Sequence, residues 1–203
     1  MLNPESQEKN DMYQAMSENI LTLRNLVGAR IELFNSIYNI DGQNLELKET
    51  LYRLNKIFSF GALYVQISTD RDETYLFTSK SSQLSILFEY NIGAGKLGPT
   101  NILGSAWENR YAATTCDDPI ASEPYFASFL GTKITAVEII HVREIGRRGM
   151  RANERGIRFT NDAGRQFTIG YDIGTPDTRG GMNILKPDEI NPALVPRMTF
   201  TKL

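Results

Sequence analysis

The densest group of side chains that could bind or react is a run of arginines. Between Lys133 and Arg165 there are eight basic and four acidic residues, so this window carries +4 while the rest of the chain carries −6. The planar guanidinium group donates paired hydrogen bonds to carboxylates and phosphates, which makes arginine common at recognition surfaces. We predict a partner-binding surface here, and a solvated loop is the alternative. The predicted partner-binding residues are Arg143, Arg147, Arg148, Arg151, Arg155 and Arg158.

A glycine-rich segment, Gly93–Gly98, matches the G-x-G-x-x-G pattern of dinucleotide-binding loops. That kind of site needs a helix directly after the glycines, because the pyrophosphate binds at the N-terminus of the helix. Pro99 and Gly104 disfavour such a helix. An ordinary glycine-rich loop is therefore favoured, and a nucleotide-dependent enzyme that uses this loop is kept as an alternative.

Cys116 and His141 are the only residues of their types. A catalytic pair would need the imidazole in contact with the thiol, and nothing in the spacing enforces that contact. One cysteine and one histidine cannot supply the four ligands of a structural zinc site. The clustered carboxylates are typical of solvated turns: Asp70, Asp72, Glu73, Asp117 and Asp118. We predict no catalytic residue, no cofactor, no metal site and a protein that is not an enzyme.

The elements that would position these residues recur along the chain. Residues 23–31 line up with residues 126–134, since each segment reads as a short helix, a glycine stop, a basic residue and a β-rich run. A hairpin follows each run. In the first, apolar residues alternate at positions 63, 65 and 67 and again at 75 and 77, around a polar turn. In the second, they alternate at 157 and 159 and again at 167 and 169.

These patterns predict an α+β fold in which two pseudo-repeated helix–β-hairpin units form a mostly antiparallel sheet or sandwich. An N-terminal helix is predicted from Asp11 to Gly28, on apolar residues spaced three and four apart. The predicted segments are a flexible N-terminus (1–11), a first unit (12–90), a connector (91–119), a second unit (120–173) and a proline-containing extended tail (174–203). The alternation near the end of this tail allows one edge strand.

Composition limits the environment in which the protein works. The 203 residues are 41% hydrophobic and 23% charged with a net charge of −2, which is typical of a globular domain. The single cysteine favours a reducing compartment, and residues 1–10 lack the features of a signal peptide. No apolar run reaches the length of a membrane span. We therefore predict a cytoplasmic protein without membrane contact.

A family resemblance adds a functional expectation. The helix–glycine–basic–strand pattern resembles that of small bacterial cytosolic proteins of polymorphic-toxin neighbourhoods, together with Gly-Ile-Arg-Phe at 156–159 and Gly-Arg-Gln-Phe-Thr-Ile at 164–169. Many of those are immunity proteins, which neutralise a cognate toxin by covering its active site. The resemblance implies a non-enzymatic inhibitor with a protein partner. The alternative is a nucleic-acid-binding module that uses Arg143–Arg165, against which the net acidity argues.

Overall fold

A computed structural model of the chain describes residues 14–39, 54–80, 85–92, 111–143, 154–175 and 181–203. The fold is α+β and consists mainly of strands. The described strands are β1 (Gln14–Ala15), β2 (Ile31–Asn39), β3 (Tyr64–Thr69), β4 (Glu73–Lys80), β5 (Ser85–Ile92), β6 (Tyr111–Thr115), β7 (Ile134–Val142), β8 (Glu154–Asn161), β9 (Gln166–Tyr171), β10 (Met182–Leu185) and β11 (Met198–Lys202). The described helices are α1 (Ile20–Arg24), α2 (Pro124–Ala127) and the 3-10 turns Met16–Asn19, Pro187–Glu189 and Val195–Arg197. None of the helices within these ranges has the length and apolarity needed to cross a membrane.

The strands form two antiparallel sheets. Sheet 1 has the strand order β1-β5-β4-β3-β2-β6, and sheet 2 has the order β10-β9-β8-β7-β11. The predicted mostly antiparallel pairing is confirmed. Both predicted hairpins are also confirmed, as β3–β4 and β8–β9. β11 pairs with β7 at the edge of sheet 2, which confirms the edge strand predicted in the tail.

The two hairpin turns have the same hydrogen bonds. The Asp72 N–H donates to the Thr69 carbonyl, and the Gly164 N–H donates to the Asn161 carbonyl. Asp72 and Gly164 both have a positive φ, at 62° and 75°. Glycine reaches this left-handed region without steric cost, and aspartate is among the residues that tolerate it. The turn residues in the sequence therefore match the backbone that the turns require.

The predicted N-terminal helix is wrong in its length. Gln14 and Ala15 pair with β5, so no helix extends back through them. Asn19 then has φ −132°, which separates the 3-10 turn Met16–Asn19 from α1. The apolar spacing is nevertheless real, because Met16, Leu23 and Leu26 are buried. Asp11 and Met12 lie outside the described residues.

The two glycine junctions contact each other. The Gly28 N–H donates to the Ile134 carbonyl and the Gly131 N–H donates to the Ile31 carbonyl, both at 2.7 Å. Gly28 has φ +89° and Gly131 has φ +71°, a conformation in which a side chain is strained. Between them, Arg30 forms an antiparallel bridge with Lys133. The chain thus enters β2 and β7 side by side.

Aromatic side chains from both sheets meet in one buried cluster. The Phe159 ring stacks on Phe167 within sheet 2, with centroids 4.7 Å apart. Phe77 of sheet 1 contacts Phe159 edge-on at 5.9 Å, and Phe34 of sheet 1 lies 4.7 Å from Phe167. These contacts hold the two sheets against each other, because aromatic rings bury large apolar areas.

Several predicted segments contain more structure than expected. The predicted connector, 91–119, contains β6, which completes sheet 1. The predicted tail, 174–203, contains β10 in addition to β11. β6 pairs with β2, which lies far away in the sequence, and β10 pairs with the neighbouring β9 and also contacts Ser59 and Ala62. Such tertiary contacts can override weak local strand patterns.

Candidate functional site

The arginines predicted to bind a partner do not all lie in the same surroundings. Arg143 directly follows β7 and is exposed, while Arg155 and Arg158 lie in β8 and are more buried. The other three predicted residues, Arg147, Arg148 and Arg151, lie outside the described residues. Arg143 and Arg155 are therefore the described ends of the arginine-rich connection.

The side chain of Arg158 contacts two other side chains of sheet 2. Its Nε lies 2.8 Å from Glu138 Oε2 and its Nη2 lies 2.6 Å from the same oxygen. Its guanidinium carbon lies 4.3 Å from the centroid of the Phe200 ring. The ion pair and the cation–π contact compensate the positive charge of Arg158, a residue that the sequence predicts to bind a partner.

A register shift places Arg155 differently. His141 pairs with Glu154 and Ile140 pairs with Gly156, so the ladder skips Arg155. A bulge of this kind re-aims a side chain. The side chain of Arg155 is only 8% exposed, and its Nη1 lies 4.0 Å from Asp172 Oδ2. The neighbouring Glu154 instead accepts hydrogen bonds from the Met16 N–H and the Ser17 N–H, which fixes the start of the N-terminal turn.

Arg155 lines a cavity of about 300 Å³ at the end of sheet 2. Its walls combine two guanidinium groups, one carboxylate and one amide with three aliphatic side chains. Among the described residues, the lining side chains are Val142, Arg155, Asp172, Ile173, Asn191, Leu194 and Arg197. We call this space the sheet 2 cavity.

Hydrogen bonds with Arg143 fix the side chain of Arg197 where the arginine-rich connection begins. Its Nε and Nη2 both donate to the Arg143 carbonyl, at 2.9 and 2.6 Å, and the Arg143 N–H donates to the Arg197 carbonyl. This reciprocal contact joins the end of β7 to the residue before β11. We call Arg143, Arg155 and Arg197 the arginine end of sheet 2.

The apolar wall of the cavity depends on two glycines. Gly156 and Gly170 are opposite each other on β8 and β9. A Cβ at Gly170 would lie 2.5 Å from Ile173 Cγ1, and one at Gly156 would lie 3.2 Å from Ile173 Cδ1. Only glycine lets Ile173 approach the sheet this closely. Ile173 then belongs to a second buried apolar cluster with Ile140 and Leu185.

Sequence reasoning missed Asp172, Asn191 and Arg197 as residues of this site. Asp172 has φ +53°, and the N–H of Asn191 donates to the Ile173 carbonyl. Their approach to Arg155 depends on the pairing of β11 with β7 and on the hydrogen bond that joins Asn191 to Ile173. Aspartate in a turn and arginine beside a proline are common patterns, so no local signal identified them.

The remaining sequence candidates lie elsewhere. Burial raises the pKa of the Cys116 thiol to about 12, with a further contribution from the negative charge of Asp117, so the thiol stays protonated. His141 Nε2 lies 3.1 Å from Thr201 Oγ1. The Gly93–Gly98 loop lies outside the described residues. In the described ranges, no three residues among histidine, cysteine, aspartate and glutamate form a group that could hold a metal ion.

The clustered carboxylates accept hydrogen bonds from within the protein. Asp70 Oδ1 accepts a hydrogen bond from the N–H of Arg30, 40 residues earlier, so this turn contacts the first glycine junction. Asp118 Oδ1 accepts from the N–H groups of Ile120 and Ala121, and Glu73 Oε2 accepts from the Tyr75 hydroxyl. The contacts of Asp118 and Glu73 are local, as is common for acidic residues in turns, whereas that of Asp70 is not.

No protein-family model, curated protein or solved structure matches this chain.

Proposed function

We propose that this chain is a non-enzymatic binding protein that neutralises a cognate bacterial toxin by direct contact. The observation that supports this function best is the arginine end of sheet 2. There the exposed Arg143 and the buried Arg155, at the two described ends of one connection, meet Arg197 from the segment that directly precedes β11. The sequence adds Arg147, Arg148 and Arg151 in the same connection. An immunity-type inhibitor needs such a surface when its partner presents acidic groups.

The expected mode of binding is electrostatic docking followed by close contact. Complementary charge raises the rate of association and fixes orientation, even where it adds little affinity. Arg143 is exposed at the described edge of this surface, whereas the guanidinium of Arg158 is already paired with Glu138. The partner surface is therefore expected to be acidic and to approach Arg143 rather than Arg158.

We also infer that the two sheets are copies of one unit, stacked as a sandwich with an approximate twofold axis near Arg30 and Lys133. The junction hydrogen bonds support this, because a shift of 103 positions converts residue 28 to 131 and residue 31 to 134. The same shift relates the irregularities at Ile31/Leu33 in β2 and Ile134/Ala136 in β7. The shift converts the Gly28 donor into Gly131 and the Ile31 acceptor into Ile134, so each hydrogen bond corresponds to the other, as expected for a twofold axis.

The outer strands support the same inference. Asn35 pairs with Thr115 where β2 meets β6, and Glu138 pairs with Lys202 where β7 meets β11. Glu138 is the residue 103 positions after Asn35. The second unit would then include β10 and β11 and run to the last residue, and the first would include β6. The two units differ most in the connection between their first two strands, which is arginine-rich in the second unit only.

Binding to toxin domains encoded beside this chain tests the proposed function. We expect a purified neighbouring toxin to bind the full chain in isothermal titration calorimetry and to lose its activity in the complex. Arg143→Glu should weaken binding at least tenfold. Arg165→Glu is the matched control, because Arg165 is exposed in the turn beyond the opposite end of β8. If no neighbouring toxin binds, or if the two variants bind equally, the proposal fails.

A further inference from the structure

We propose that the sheet 2 cavity binds a free α-amino acid with a short aliphatic side chain. This inference does not depend on the toxin partner. The cavity combines a cationic group, an anionic group and an apolar wall within about 300 Å³. That volume is at the small end of ligand sites, so it suits a small molecule. A zwitterion with an aliphatic side chain has one group for each kind of wall.

The guanidinium of Arg197 is positioned to receive the ligand carboxylate. Its Nε and Nη2 hold the Arg143 carbonyl, which fixes the plane of the group. A guanidinium has five N–H donors, and the edge formed by Nη1 and Nη2 remains for a second acceptor. The buried Asn191 supplies an amide in the same wall. A fixed fork of donors favours a carboxylate, which accepts two parallel hydrogen bonds.

Asp172 supplies the acceptor for the ligand ammonium group. Its side chain is 48% exposed, and its Oδ2 lies 4.0 Å from Arg155 Nη1, a distance beyond direct hydrogen bonding. This carboxylate can therefore also accept hydrogen bonds from an ammonium group in the cavity. A ligand with an anionic group alone would bring like charge close to Asp172. The presence of both signs in one cavity thus favours a zwitterion over a simple acid or a phosphate.

The aliphatic wall selects the side chain of the ligand. Val142, Ile173 and Leu194 provide apolar surface beside the polar groups. Ile173 is held in place by its close approach to Gly156 and Gly170. A branched aliphatic side chain of three or four carbons matches the apolar character of this wall, which contains no aromatic side chain among its described residues. Valine and leucine are the probes that follow from this geometry.

Calorimetric titration of the purified full chain with L-leucine and L-valine tests this proposal. Two analogues of leucine separate the roles of its charged groups, namely 4-methylpentanoate, which lacks the amine, and 3-methylbutylamine, which lacks the carboxylate. We expect leucine or valine to bind at least tenfold more tightly than either analogue. If neither amino acid binds at 10 mM, on the order of the weak limit for a small ligand, the proposal is overturned. It is also overturned if inorganic phosphate or 4-methylpentanoate binds as tightly as leucine.

Two variants test whether Arg197 binds the carboxylate of the ligand and whether Asp172 binds its ammonium group. Arg197→Met should abolish binding of leucine and of 4-methylpentanoate. Asp172→Asn keeps a residue that tolerates a positive φ, and it should reduce leucine to the affinity of 4-methylpentanoate. Arg165→Met, away from the cavity, should bind leucine as the wild type does. Circular dichroism shows whether each variant is folded. Folded Arg197→Met and Asp172→Asn proteins that both bind leucine like the wild type would contradict the assignment.

Discussion

The hairpins β3–β4 and β8–β9 have the same turn geometry and the same register, but they differ at the end away from the turn. Val65 pairs with Phe77 in the first, and Ile157 pairs with Ile169 in the second. Two residues before these pairs, the first hairpin has Leu63, which is 38% exposed, and the second has Arg155, which is 6% exposed. An apolar residue is thus partly exposed where a charged residue is buried. The hairpin itself does not explain this difference. Instead, Arg155 lines the sheet 2 cavity together with Asp172 and Arg197, which lie outside the hairpin.

Under the proposed function, this comparison distinguishes residues that build both hairpins from residues at the arginine end that are expected to bind a partner. Substitutions in the shared part should change stability, and substitutions at the arginine end should change binding.

The largest effect on stability is expected where the second hairpin enters the core. Phe159→Ala should lower the free energy of unfolding by about 3–5 kcal/mol, because a buried aromatic ring leaves a cavity in a close-packed cluster. Phe159 is 1% exposed and contacts aromatic rings of both sheets. Urea unfolding measures the change. Phe200→Ala is the control, since Phe200 is 41% exposed and should cost much less. Equal losses for the two variants would show that the core is not where the structure places it.

Substitutions in the two hairpin turns should change stability by smaller amounts and in opposite directions. Gly164→Ala should destabilise by about 1–2 kcal/mol, because alanine is strained at a positive φ. No neighbour lies within 4 Å of a Cβ at this position, so the cost is conformational. Asp72→Gly should instead be neutral or slightly stabilising, because glycine relieves the same strain in the first hairpin. Thermal unfolding of both variants measures this, and a stabilising Gly164→Ala would contradict the shared turn geometry.

A comparison of the ends of β6 and β11 leads to a prediction about how the stability of the chain depends on pH. The Cys116 N–H donates to the Phe34 carbonyl directly after β6, and the Leu203 N–H donates to the Val137 carbonyl directly after β11, both at 3.0 Å. Cys116 can ionise. Its pKa is raised from 9.0 to about 12 in the folded chain. The stability that this shift contributes is therefore present below pH 9 and is lost as the pH rises toward 12.

We expect the unfolding free energy of the wild type to fall more steeply between those pH values than that of Cys116→Ala. The difference in slope should be at most about 1.4 kcal/mol per pH unit. Urea unfolding at a series of pH values compares the two proteins. Parallel pH profiles would show that the thiol is not buried in the folded state.

The smallest effect is expected at the half-buried ion pair between Arg158 and Glu138 on sheet 2. Arg158→Met should change the free energy of unfolding by less than about 1 kcal/mol, because partly exposed ion pairs contribute little net stability. The same variant should leave partner binding nearly unchanged, since Arg158 is engaged with Glu138 and Phe200. Chemical denaturation and calorimetry check the two statements. A large loss of partner affinity would place Arg158 in the docking surface after all.

The hairpins could be predicted from the sequence because their signals are local. Alternating apolar residues around a polar turn determine β3–β4 and β8–β9 without reference to the rest of the chain. β6 could not be predicted because its partner β2 is distant in the sequence, and β10 could not be predicted because its four residues, Met182–Leu185, are all buried and show no alternation. The N-terminal helix was predicted too long because apolar residues spaced three and four apart also fit a 3-10 turn followed by a short helix.

The arginine end shows the same limit. A charge count along the sequence selects Arg143, Arg155 and Arg158 alike, although Arg158 is paired with Glu138. Arg197 became part of the site only through the pairing of β11 with β7. A charge count along the sequence cannot separate exposed arginines from those that already have a carboxylate beside them.

The most direct test of the proposed function is the rate at which the chain associates with the toxin domain that the proposal expects as its partner. Surface plasmon resonance at low and at physiological salt compares the wild type with Arg143→Glu and Arg165→Glu. We predict that Arg143→Glu slows association about tenfold or more at low salt and that added salt narrows this gap. Association rates that are the same for all three proteins at both salt concentrations would contradict docking through the arginine end of sheet 2.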